Sequence, residues 1–139
     1  MAGERAAAES LANELVEAWS ATGIRQPIEL SASPWVFREL GRSAEVLHAL
    51  DERAIGETPW HHAARLIATG ELVGAADVFA GIGTVPDEAY ARLKAAAAFV
   101  EAGDRASADR QLNLALPVFA QLRATAWTAE GEALLAASA

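Results

Sequence analysis

Apolar side chains recur along this chain at helical spacing, and glycines punctuate them. Leu11, Leu15, Val16 and Trp19 fall on one stripe of a helix over residues 4 to 21, with Glu9, Glu14 and Glu17 largely outside it. Gly23 ends this helix. Residues 24 to 33 hold Pro27 and no clean period, so they form a loop or a short, poorly formed helix. Ser33-Pro34 then predicts an N-cap followed by proline at the first helical position, where a missing N–H costs nothing. The same start signal returns at Thr58-Pro59-Trp60, which argues for duplication.

The pattern predicts helices over 34–40 and 43–50, then 59–69 and 71–80, then 86–102 and a helix from the N-cap Asp104 towards residue 122. Asp87 and Glu88 fall in a first turn, where the helix dipole favours negative charge. Pro117 cannot donate to the Asn113 carbonyl, so a kink or an early stop is expected there. A last helix over 126–137, carrying Trp127, Leu134 and Leu135, is too short to stand alone in water and is expected to dock as a cap.

Gly41, Gly70 and Gly103 each separate two apolar helical stretches, at intervals of 29 and 33 residues. Such periods signal stacked helical hairpins. Five residues after Gly70 and Gly103 stand Ala75 and Ala108, small enough to let helices approach; nine after stand Phe79 and Leu112. After Gly41 the small position is taken by Glu45, a degenerate copy.

The order glycine, acid, small residue, large apolar residue resembles the second helix of a tetratricopeptide repeat, and Trp60 and Tyr90 stand near where first helices of that family carry an aromatic. The segments GTVPDEAYARLKAAAAFVEAG and ATAWTAEGEALLAAS are similar to the closing helical-repeat stretch of large bacterial regulators. In those proteins an adenylate cyclase-like or DNA-binding module and a P-loop ATPase precede the repeats. The resemblance covers roughly residues 10 to 139. It implies a single all-α domain of roughly six to eight helices, with antiparallel hairpins over about 34–50, 59–80 and 86–122 stacked as a short right-handed superhelix under a C-terminal capping helix. It also implies a scaffold for protein interaction or signalling, including transcriptional regulation.

Composition supports the helical reading, since about a quarter of the 139 residues are alanine and strand-forming types are sparse. A net charge of −8 repels phosphate backbones and anionic lipid, so neither nucleic acid nor a membrane surface is an expected partner. Lys94 is the only lysine among the 11 basic residues, a bias that fits a high-GC genome better than phosphate recognition. There is no cysteine, hence no disulfide and no thiolate site. The N-terminus lacks the apolar core of a secretory signal and no stretch approaches a membrane span, so a cytoplasmic location is the default expectation.

Catalytic and cofactor chemistry finds little purchase. No GxxxxGK[ST] or GxSxG occurs, and the Gly81-Ile-Gly83 cluster lacks a lysine and a preceding strand. His61 and His62 invite a metal reading, with Glu57 nearby, but adjacent helical residues diverge by about 100°. They are expected to face solvent or pack in part, as is His48, and neither a cofactor nor a metal is expected. Trp19, Trp35, Trp60 and Trp127 could line a groove, although alanine-rich helices leave room for most of them to wedge between hairpins. The repeat register places Trp35 and Arg38, Trp60 and Ala64, and Tyr90 and Leu93 on a concave side, making Trp35, Arg38, Trp60 and Tyr90 the candidate partner-binding residues.

These readings converge on a non-enzymatic protein interaction or scaffolding module, whose partner is another protein or a neighbouring domain of a larger parent. The alternative is a small-molecule-sensing helical domain walled by Trp35, Trp60 and Tyr90. Repeat ends expose apolar surface, so a homodimer through such an end is a further expectation.

Overall fold

The computed structural model describes residues 2–25, 27–53 and 57–137. Among these residues it is all-helical. The elements are α1 (Ala2–Thr22), a 3-10 turn (Pro27–Leu30), α2 (Ser33–Glu39), α3 (Ser43–Arg53), α4 (Pro59–Thr69), α5 (Leu72–Ile82), α6 (Val85–Glu101), α7 (Arg105–Leu122) and α8 (Thr125–Ala137). The chain divides into two compact units, Met1–Glu71 and Leu72–Ala139.

Glycine at positive φ closes the helices where the sequence predicts. At Gly70, φ is 85°, and the turn is fixed by its N–H bonding to the Ile67 carbonyl and that of Glu71 to the Leu66 carbonyl. A side chain there would adopt the left-handed region at a cost of roughly 1 kcal/mol or more. Gly41 and Gly103 share this conformation. At the end of α7 the same role falls to Arg123, with φ of 54°, a turn that no glycine announces.

In the first unit α3 packs on α1, α2 and α4, and α2 also meets α1 and α4. Its core is built around Trp19 and Phe37, whose rings stack at 5.4 Å, with Ile24, Leu30, Val46 and Leu50 buried around them. Arg65 on α4 pairs with Asp51 of α3, and its Nε lies 3.5 Å from Glu57. Along α1 the buried stripe runs through Ala12 and Trp19, with Leu15 and Val16 half-buried. Leu11, expected on that stripe, is instead 48% exposed. Ala12 takes its place because its small side chain fits against the core cluster.

The second unit centres on α6 and α7, which turn back on each other across Ala102–Asp104 and share its most extensive contact. Ala89, Ala96, Ala108 and Ala115 are buried with Leu93, Leu112 and Phe119, so small and large side chains alternate across the seam. The small residues Ala75 and Ala108 and the large ones Phe79 and Leu112 are all buried, as their distances from the glycines predict. Arg92, itself buried, ties three helices of this unit together. Its Nε donates to Glu88 Oε1 at 2.9 Å, Nη1 to Gln111 Oε1 of α7 at 3.0 Å, and Nη2 to Asp77 Oδ1 of α5 at 3.4 Å.

Helix α8 packs on α6 and α7, and only Gly131 is fully buried on it. A Cβ at Gly131 would stand 2.7 Å from Leu116 Cδ2, so glycine permits the close approach. Around it Lys94 pairs with Glu130 at 2.8 Å, and Arg105 donates to the carbonyls of Leu134 and Leu135 at 3.3 and 2.7 Å.

Three local expectations are corrected. Helix α2 begins at Ser33 with Ala32 at the N-cap, because the Ser33 hydroxyl donates to the Glu29 carbonyl at 2.6 Å and anchors α2 to the preceding turn. Of the kink or early stop expected at Pro117 the early stop does not occur, and α7 runs to Leu122, close to the end the pattern predicts. Leu112, Ala115 and Phe119 are buried on both sides of the proline, while Pro117 and Asn113 are exposed, leaving water free to reach the Asn113 carbonyl. His61 is buried rather than solvent-facing: the Thr58 N–H donates to its Nδ1 at 3.1 Å, so the ring serves as the return half of a capping box.

Asp104 caps α7 as predicted, accepting from the Ser107 N–H at 3.1 Å. Its carboxyl is held below the ordinary aspartate range, first by the Ser107 hydroxyl and then by the Ser107 N–H. A depressed folded-state pKa gives stability that is complete above the unfolded value, about 4, and is lost as the pH falls through the folded value. Asp104→Asn keeps a capping oxygen and removes the titration. The melting temperature of the native protein relative to this variant is therefore expected to fall between pH 5 and pH 2, as followed by circular dichroism; a constant difference would show that the cap carries no charge-dependent stability.

Candidate interaction surfaces

The four candidate residues divide between the units. Trp35 and Arg38 lie on α2 and Trp60 on α4, all half-buried in the first unit, where α2 and α4 pack together. Arg38 is directed towards the C-terminal turn of α4: a Cβ at Gly70 would stand 3.5 Å from its Nη1. Tyr90 belongs to the second unit, where its ring sits 5.2 Å from that of Trp127, and Lys94 Nζ lies 5.1 Å from its centroid. Trp127 also meets Phe119 at 5.5 Å. Tyr90 thus helps to seat α8. Ala64 and Leu93, placed by the repeat register on a concave face, are core residues at 1% and 0% exposure.

Two open grooves flank α1 in the first unit. The larger, about 410 Å³, is lined by Glu4, Arg5 and Ala8 of α1 and by Val36, Glu39 and Leu40 at the end of α2. Ala8, Val36 and Leu40 are half-buried and form an apolar floor, while Glu4, Arg5 and Glu39 are exposed at its rim. Arg5 Nε pairs with Glu9 at 3.1 Å. The smaller, about 200 Å³, runs between α1 and α3 past Val16, Trp19, Ser20, Ala44 and His48. At its edge Arg42 grips Glu45 through two hydrogen bonds of 2.6 and 2.8 Å, which hold the Glu45 carboxyl below the usual range.

Nothing in the sequence announces the larger groove. Glu4, Arg5 and Ala8 read as the solvated start of a helix, and only the packing of α1 against α2 turns them into one wall of a cleft.

No protein-family model, curated protein or solved structure matches the chain. Its surfaces are therefore read on their own chemistry. Among the described residues, no group of three or more His, Asp or Glu side chains is placed to hold a metal ion, and no helix is long and apolar enough to cross a membrane. His61 points into the fold while His62 is exposed. The indole Nε1 of Trp19 and Nε2 of His61 are buried without a hydrogen-bond partner among the described residues.

Proposed function

We propose that this chain is a non-enzymatic, tetratricopeptide-like protein interaction module, working as the helical-repeat part of a larger signalling or regulatory protein. The observation that supports it most is the groove beside α1 and α2. It is open and apolar-floored, it is rimmed by charge, and Leu11 lies half-exposed one turn along α1 from Ala8. Such a surface suits a peptide or helix laid along it better than an enclosed small molecule. The groove between α1 and α3 is smaller than the roughly 300–1,000 Å³ of ordinary ligand pockets, and its charged edge is already ion-paired, which weighs against the sensor reading.

The test is site-directed photo-crosslinking in the native host. A benzophenone side chain at Leu11 is expected to trap a discrete protein adduct, and the same group at exposed Glu132 of α8 is not. Absence of any adduct, together with a rise of several degrees in melting temperature on adding a small metabolite, would replace this reading by the sensor.

A further inference from the structure

We infer that the exposed flank of α7 is a self-association surface, on which a second copy of this chain docks antiparallel, with Val118 on Val118 and Leu114 on Leu122 of the other copy. Leu114 and Leu122 are 55% and 48% exposed, and Val118 is half-buried between them. Their four-residue spacing sets all three along one flank of the helix, beside the buried row of Leu112, Ala115 and Phe119. The contact is independent of the groove between α1 and α2 and goes beyond the reading built on it.

Charge and symmetry select the occupant. The chain holds 19 carboxylates, yet none occurs from Arg110 to Ala129, its longest run without one. Of the large apolar residues exposed among the described residues, Leu114, Leu122 and Trp127 fall within that run. Two copies that each carry −8 repel one another, and this stretch brings no carboxylate to the contact. A basic partner therefore finds no acid here. An acidic one finds only Arg110, which donates to the Ser107 hydroxyl at 2.7 Å, and Arg123, both at the ends of the stripe. The stripe is instead its own complement. Leu114 and Leu122 stand four residues to either side of Val118, so a two-fold axis at Val118 lays the row along its copy with apolar side chains meeting throughout.

Three side chains per copy make a small interface, so the dimer is weak, with a dissociation constant of roughly 0.1 mM. Sedimentation of the whole chain up to about 1 mM is expected to show a monomer–dimer equilibrium, and added salt should strengthen it, because it screens both the net charge and the arginines at the stripe ends. Leu114→Lys and Leu122→Glu, both at exposed positions, are each expected to weaken the dimer at least about tenfold while leaving the circular dichroism melt in place. The decisive measurement mixes the two variants. In the antiparallel register Lys at 114 of one copy meets Glu at 122 of the other, and the opposite end keeps its two leucines, so a mixed dimer should return to within about threefold of the native affinity. A chain that stays monomeric, a dimer that neither substitution weakens, a dimer that salt dissociates, or a mixture that stays monomeric overturns the proposal. Benzophenone at Leu114 in the native host is expected to trap a second copy; an adduct with a different protein alone overturns it too, and leaves the interaction-module reading standing.

Discussion

Replacing Phe37 with alanine is expected to cost the first unit about 3–5 kcal/mol, a large part of the stability of a domain this size. Phe37 is fully buried on α2, stacked on Trp19 of α1, and its ring lies 5.6 Å from the Arg42 guanidinium in the turn that leads into α3. One side chain therefore joins α1, α2 and the turn into α3. Truncation leaves a cavity between elements that are too short to close over it, since α2 has only seven residues. Urea unfolding followed by circular dichroism measures the loss, and amide hydrogen exchange over α1 to α3 locates it. Phe37→Leu should recover most of it. If alanine and leucine behave alike, the ring is not the centre of this core.

The second large effect is expected at Arg92. Arg92→Ala should destabilise the second unit by about 2–4 kcal/mol, because it strands the Gln111 amide oxygen in the interior and leaves the half-buried Glu88 carboxylate without its partner. Asp77 contributes little, since its side chain is 67% exposed. The mechanism gives a second, sharper expectation. Arg92→Met with Gln111→Leu removes both interior polar groups and should regain much of the stability lost in Arg92→Met alone. Thermal melts of the single and double variants decide it; a double variant worse than the sum of its parts would mean that the network, and not its stranded members, carries the stability.

Helix positions and joints were legible because they depend on local chemistry. Pro59 to Thr69 could be read residue for residue from Thr58-Pro59 and Gly70, and Asp104 from its place after Gly103. The buried roles of Ala75, Ala108, Phe79 and Leu112 followed from their spacing. What failed depends on which face meets which neighbour. Leu11 and Ala12 are adjacent and both apolar, and only packing decides that the smaller one goes in. His61 was expected to face solvent or pack in part, because no pattern marks a histidine as the return half of a capping box. At Pro117 the pattern left a kink or an early stop open, because the burial that carries α7 past it is tertiary. Of the four candidate site residues, Tyr90 is committed to seating α8 through Trp127, and the larger groove joins residues from two helices that no motif connects.

The way α8 is held has a consequence for how the second unit breathes. Leu134 and Leu135 of α8 pack, partly buried, against the cluster of Leu93, Leu112 and Phe119, and beside that apolar seat stand one lysine–glutamate pair, two arginine–carbonyl bonds and the Trp127 ring against Tyr90 and Phe119. The ion pair is partly screened by salt, whereas the leucine and ring contacts are not. Added salt is therefore expected to loosen the polar rim of α8 and to leave its apolar seat in place.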